Sequence, residues 1–183
     1  AQKRQNKRDI AVMYINKGNL YSQTNAEESL LYNREALMIA IRIKEYRIMI
    51  IASLNILQHG YVNMDYSSFE TVLQEIYVYY QKFQVKFEQN HLHYFSAFYM
   101  LVCGEYTRCN EYLKAAAPYV TDSHSLTFSL IYVVTHFKYL CVSENPDAAC
   151  DYIDSVLCDE KFQKTDTERS EEHTSELQSP NTI

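Results

Sequence analysis

"NAEESLLYNREAL" (Asn25–Leu37), "DYSSFETVLQEIY" (Asp65–Tyr77), "EYTRCNEYLKAAA" (Glu105–Ala117) and "NPDAACDYIDSVL" (Asn145–Leu157) start 40 residues apart each time, without a gap. Aligned in that frame, one column reads Ser29, Phe69, Cys109, Ala149, the next Asn33, Leu73, Leu113, Ile153, and the third Ala36, Ile76, Ala116, Val156. The steps between columns are four and three, the stripe of one helix face. Each stretch opens on a helix start. Asn25 and Asp65 can accept a bond from a first-turn amide, and Asn145 precedes Pro146, placed where a helix has no hydrogen bond to lose.

The residues ahead of each stretch carry a second stripe: Tyr14, Leu54, Tyr94, Val134; Lys17, Leu57, Ala97, Phe137; Tyr21, Tyr61, Leu101, Cys141. Each unit is therefore expected to be two antiparallel helices joined by a short turn ("SQTN", "VNMD", "VCGE", "VSEN"). The pattern predicts helices over 9–22 and 26–43, 46–62 and 67–87, 90–103 and 106–119, 124–142 and 146–160. One hairpin of about 40 residues cannot bury a sufficient core, so the units must stack on one another. The expected fold is all-α, a helical-hairpin solenoid of four antiparallel pairs. Its repeat domain spans 10–164, with units 10–47, 48–88, 89–122 and 123–164. A basic fringe, 1–9, precedes it and a tail, 165–183, follows. Ser29, Cys109, Ala149, Ala36 and Ala116 are the small residues expected where helices cross closely.

Composition narrows the function classes. The chain has 183 residues, three glycines, three prolines and a net charge of −6. So few turn formers argue against a β protein. The mild acidity argues against a nucleic-acid backbone as partner, because such binding rests on clustered Lys and Arg. The one basic cluster, "KRQNKR" at Lys3–Arg8, reads as a solvated helix end or linker. No run of about 18 apolar residues indicates a membrane span. The most apolar stretch, "SLTFSLIYVVTHFKYLCV", carries His136 and Lys138 and reads as a buried helix. The five cysteines (Cys103, Cys109, Cys141, Cys150, Cys158) are odd in number and contain no C-x-x-C. They are expected to be buried free thiols in a reducing cytoplasm.

No catalytic constellation is legible. His91 and His93 in "HLHY" are two apart rather than the i, i+4 of a helical metal pair, and read as surface loop histidines. There is no glycine-rich phosphate loop and no G-x-S-x-G elbow. The pairs Glu27–Glu28 and Asp151–Asp154 read as solvated charge. The expectation is a non-catalytic chain without metal or cofactor.

The units resemble tetratricopeptide repeats, helix–turn–helix units usually 34 residues long. The likeness rests on "GNLYSQTNAEESLLYNREAL", with Gly18, Tyr21, Ala36 and Leu37 at the family's positions, and on "GEY" at Gly104–Tyr106. The period is six residues longer, and Gln58, Phe98 and Lys138 replace the first-helix glycine in the later units. The resemblance covers about residues 10–160. It implies a concave groove lined by the first helix of each hairpin. The groove columns are then Ile15, Asn55, Phe95, Thr135, beside Asn19, His59, Tyr99, Tyr139, and, half a turn away, Asn16, Ile56, Ser96, His136. The ligand-binding candidates are Asn19, Asn55, His59, Tyr99 and Tyr139. Asparagine can pair donor and acceptor with a peptide backbone, and a polar pair such as Asn55 and His59 on an apolar helix needs solvent or a partner.

At the other end, Arg169–Ser179 ("RSEEHTSELQS") resembles the translation of a short-read sequencing adapter, and 169–183 is expected to be foreign to the protein. His173, with Glu171, Glu172 and Glu176 around it, is then no metal site. Without this tail, which holds one arginine and three glutamates, the charge becomes −4. A start at Ala1 without methionine adds the expectation of a fragment at both ends. The functional expectation is a binding scaffold that takes a peptide or a partner's helix in its groove, as the sensor region of a larger bacterial cytoplasmic regulator. Two alternatives stand beside it: the regulatory half of a signalling enzyme (a diguanylate cyclase or kinase), and a stand-alone adaptor that self-associates.

Overall fold

The computed structural model describes residues 2–83, 89–120, 126–143 and 146–158. The described chain is all-α, with α1 (Gln2–Tyr21), α2 (Ala26–Ile43), α3 (Tyr46–Asn63), α4 (Phe69–Phe83), α5 (Gln89–Val102), α6 (Tyr106–Ala116), α7 (Leu126–Ser143) and α8 (Pro146–Leu157). Internal contacts divide it into two units, 1–119 and 120–183. The division falls within three residues of the 122/123 boundary expected between the third and fourth hairpins. The expected tail, the adapter-like run and Asn145 lie outside the described residues.

Local chemistry sets the helix ends. Asn25 caps α2, its side-chain oxygen accepting the Glu28 N–H at 3.2 Å. Asp65 departs from the same expectation. Its Oδ1 accepts from Ser67 N (3.2 Å) and Ser67 Oγ (2.6 Å), which closes a local turn and delays α4 to Phe69. The side chain satisfied a turn before a helix could use it. α6 stops at Ala116 and a single 3-10 turn (Ala117–Tyr119) follows, because Pro118 has no N–H to continue the ladder. At the other end, α1 starts at Gln2 rather than residue 9. Residues Arg4–Arg8 of the basic cluster are thus exposed in the first turns of this helix, where Gln5 Nε2 donates to Asp9 Oδ1.

The turn after α3 reappears 40 residues later. Met64 and Gly104 both take left-handed backbone, at φ 56° and 76°. Behind them Asp65 N–H bonds Gly60 O and Glu105 N–H bonds Met100 O, at 3.0 and 2.9 Å. These six-to-one closures satisfy carbonyls that the helix end would otherwise leave open.

In the first unit, each of α1 to α5 packs on the next, and α1 also touches α3 and α3 touches α5. Ala11, Ala36, Ala40 and Ala52 are fully buried and bring α1, α2 and α3 close, with Ile15, Ile48 and Met49 among them. Gly18 serves the same approach: a Cβ there would lie 2.4 Å from Asn33 Nδ2. In the second unit α7 packs on α8, and His136 lies 4.3 Å from Tyr152 between ring centroids. The small crossing residues Ser29, Ala36, Cys109, Ala116 and Ala149 are all buried, as the 40-residue frame requires.

Three expectations are corrected by burial. Cys103, Cys141, Cys150 and Cys158 are exposed free thiols. Only Cys109 is buried, which pushes its thiol up to about 11. His91 and His93 belong to α5 rather than a surface loop. His91 is 5 % exposed and held down to about 4 by burial, and burial also lowers His93. Their two-residue spacing hid this because each ring is covered by a different neighbour, Tyr94 for His91 and Tyr112 for His93. The apolar stretch in α7 is buried on one side only, for Leu130, Val134 and Val142 remain exposed.

Candidate binding site

The asparagines singled out in the sequence meet. Asn55 Nδ2, on α3, donates to Asn19 Oδ1 on α1 at 3.0 Å and to Asn33 Oδ1 on α2 at 2.9 Å. Asn33 Nδ2 in turn donates to Ser29 O, and Ser29 Oγ to Gly18 O, at 2.9 and 2.8 Å. This chain of bonds ties three helices together. It starts in the interior at Ser29 and Asn33 and ends at the exposed Asn19. A buried amide is tolerated only when bonded, and here each amide closes on the next. Asn33 was legible only as a polar residue in an otherwise apolar column.

One turn beyond Asn55 on α3, His59 lines a cleft of about 410 Å³ between α2 and α3. Ala26, Leu30 and Leu31 form its apolar wall. Glu27, Arg34, Asn63 and Asp65 supply the polar groups. On α2 the residues at 26, 30 and 34, with 27 and 31 beside them, fall on one face at helical spacing. Asn63 is fixed by donating to His59 O at 2.9 Å. The Asp65 carboxyl is held below its usual range by the two bonds from Ser67, with smaller help from the His59 and Arg34 charges. His59 Nε2 is buried without a hydrogen-bond partner, and Arg34 makes no ion pair among the described residues. Leu31 is left 55 % exposed beside them.

The next position of that column, Tyr99, lines a second cleft of about 200 Å³ between α4, α5 and α6. Three of its lining residues, Glu70, Gln74 and Tyr99, stand 40 residues after Leu30, Arg34 and His59 of the first. Tyr77 lines it too. The Tyr77 hydroxyl meets Ser96 Oγ at 3.3 Å and bonds Tyr112. Burial pushes the Tyr77 phenol well above the ordinary tyrosine range.

The remaining groove candidates differ in burial. Ser96 is buried at the lining of the second cleft, Asn16 is exposed, Ile15, Ile56, Phe95 and Thr135 are buried, and Tyr139, on α7, is 8 % exposed. Buried side chains of this kind hold helices together and offer a ligand no surface. The cleft residues Glu27, Leu30, Arg34 and Asn63 were not singled out, because the resemblance directs attention to first helices while this wall belongs to α2. An outward Leu31 next to Arg34 was the available signal.

Comparison with protein-family models, with curated proteins and with solved structures finds no match to this chain. Among the described residues no helix is long and apolar enough to cross a membrane.

Proposed function

We propose that the chain is a binding module: a tetratricopeptide-like stack of helical hairpins that takes up a segment of a peptide or partner protein in the cleft between α2 and α3. The observation that carries this is a half-buried His59, its Nε2 without a hydrogen-bond partner, that lines the same cleft as an exposed leucine and an Arg34 with no ion pair among the described residues. A buried polar atom without a partner costs free energy of about 1–3 kcal/mol, and a ligand group bonded to it recovers that. Leu30 and Leu31 supply the apolar contact, Arg34 and Asn63 the orientation. The packing of each helix on the next, with α1 on α3 and α3 on α5, supports a stacked arrangement in the first unit. In this reading Asn55 and Asn19 brace the α1–α3 side of the site, and Tyr139 has no part in it. The module's setting, a larger cytoplasmic regulator, belongs to the same proposal.

The test is to screen the chain against an unbiased array of short peptides, then titrate the best binder into His59→Ala and Arg34→Ala. Both variants are expected to weaken binding at least tenfold with an unchanged melting temperature. Asn55→Ala is the poorer probe, since it also strands Asn33 and Asn19. Unaltered binding in both variants overturns the site. Absence of any binder, with mass rising with concentration in light scattering, turns the reading to a self-associating adaptor.

A further inference from the structure

We propose that two copies of the chain pair through the outward face of α2, antiparallel across a twofold axis, with Leu31, Met38 and Ile41 of both copies lying between matched charges at either end. This goes beyond the peptide-binding reading: it is a contact of helix against helix along the length of α2, with a second copy of this chain as the partner.

The exposed residues of α2 form a single stripe. They are Glu27, Leu31, Arg34, Met38, Ile41 and Arg42, stepped by four and three until the last turn. The other face holds Ser29, Asn33, Ala36, Ala40 and Ile43, all buried, and there α2 packs on α1 and α3. Leu31, Met38 and Ile41 are large and apolar, yet 55, 43 and 45 % exposed. The later repeats do not share this. Thr71, Glu111 and Asp151 stand in the place of Leu31 on α4, α6 and α8, and Gln81 stands in the place of Ile41. α4 keeps one exposed apolar residue on this face, Val78. Among the second helices of the hairpins, α2 alone carries an outward apolar stripe. Apolar residues grouped on one exposed face, unlike scattered ones, mark a surface that another molecule covers.

Charge selects what covers it. The stripe begins at Glu27, with Glu28 beside it, and ends at Arg42, with Lys44 just beyond. Glu27, Arg34 and Arg42 make no ion pair among the described residues. A second α2 laid antiparallel brings its Arg42 to Glu27 at one end and its Glu27 to Arg42 at the other. These two residues are about 22 Å apart along the axis, so the apolar residues fall between the two pairs. A parallel copy would set like charges together. Acid at the start and base at the end also suit the dipole of α2 itself, but the dipole gives no reason for Leu31, Met38 and Ile41. Arg34, in the middle, can lay its methylene stem along the opposing apolar residues and keep its head in water. The pattern is self-complementary, so the contact is isologous and closes at two copies. One helix from each copy falls short of the roughly 1,200 Å² of a stable interface. The dimer is therefore weak, with an expected Kd on the order of 0.1 mM.

Sedimentation equilibrium of the whole chain over a range of concentrations is the test. The parent's mass should rise from 21.5 kDa towards twice that value and no further. Glu27→Arg and Arg42→Glu each set like charges together at both ends, and Met38→Asp puts a charge in the apolar middle. Each alone should weaken the dimer at least tenfold, with melting temperatures showing that it folds. An equimolar mixture of Glu27→Arg with Arg42→Glu restores opposite charges at both ends, so dimers should return. Unfolding cannot produce that rescue. A parent that stays at the protomer mass overturns the proposal and leaves the stripe to a different protein. So do dimers that survive all three substitutions, masses that climb beyond two copies, and a mixture that does not associate. None of these outcomes decides peptide uptake, whose test at His59 uses a residue outside the stripe.

Discussion

Ser29, Asn33 and Asn55 occupy the same places in the 40-residue frame as Phe69, Leu73 and Phe95, yet the two sets hold their helices by opposite means. Around the first set, α1, α2 and α3 are joined by amide and hydroxyl bonds from Gly18 through Ser29 and Asn33 to Asn55 and Asn19. Around the second, Phe69 stands among rings: Phe95 at 6.1 Å, Phe98 at 5.8 Å and Tyr99 at 5.8 Å between centroids, with Tyr61 and Tyr66 against Phe98. One backbone arrangement accepts either solution. A small residue with a closed polar chain lets helices approach; a large ring fills the space when they stand apart. The difference also shapes the clefts, leaving an unsatisfied imidazole beside the first junction and a wall of tyrosines at the second.

The sharpest way to break this comparison is to truncate its two centres. Phe69 is 1 % exposed and touches four other rings, those of Tyr66, Phe95, Phe98 and Tyr99. Phe69→Ala should cost about 3–5 kcal/mol, transfer and cavity terms together. Ser29→Ala, at the corresponding place, removes one bond to Gly18 O and should cost about 1 kcal/mol. Urea unfolding of both variants measures the ratio. Equal losses would mean that the polar chain is as costly to disturb as the aromatic cluster, and the contrast would fall.

Acid offers a second separation. In the aromatic half, His91 is buried and its folded value is held near 4, below the ordinary 6.5. A depressed imidazole means that the unfolded chain binds more protons between those values, so stability rises with pH across that window. Above about pH 6.5 the contribution is fully present; as pH falls from there towards 4 it is lost, by up to about 3 kcal/mol. Unfolding midpoints at pH 7 and pH 5 should therefore differ, and His91→Gln should flatten the dependence. A variant with the same pH slope as the parent assigns the acid sensitivity elsewhere, with His93 the next group to test.

The polar half is sharpened by a double-mutant cycle. Asn33→Ala removes the buried acceptor of Asn55 Nδ2 and the side-chain bond to Ser29 O, and should cost about 1–3 kcal/mol. Once Asn33 is gone, Asn55→Ala has less left to lose, so the double variant should fall short of the sum by about 0.5–3 kcal/mol. Additive losses would show that the three asparagines act separately despite their 2.9 and 3.0 Å bonds.

How much of this was legible beforehand follows from what period and propensity can carry. Every described helix was foreseen, because the apolar columns repeat without a gap and each turn has its own breakers. The misplaced ends were those decided by a side chain's local choice, as when Asp65 bonded Ser67 instead of capping α4. For the site, Asn19, Asn55, His59, Tyr99 and Tyr139 were singled out; the two asparagines are bonded to each other, His59 and Tyr99 line clefts, and Tyr139 is buried on α7. Arg34 was missed. It is an exposed cation on a helix, indistinguishable in sequence from a solvated charge until the cleft beside it is seen. Burial at His91 and exposure at Cys103 were equally out of reach, since neither changes the period.

The smallest effect tests the one place where the two halves share a device. Met64 and Gly104 end α3 and α5 with left-handed backbone at equivalent positions. A non-glycine residue there brings its Cβ against the carbonyl, which costs about 1 kcal/mol. Glycine avoids this but loses more freedom on folding. Nothing lies within 4 Å of a Cβ built at Gly104, so Gly104→Ala should destabilise through backbone strain alone, by about 1 kcal/mol. Met64 is 79 % exposed and little packing is at stake, so Met64→Gly should stabilise by about 0.5–1 kcal/mol. Opposite signs from thermal melts of the two variants would show that the turn is one structure built twice. A loss in both would mean that the Met64 side chain, although exposed, holds its turn in a way the Gly104 turn does not need.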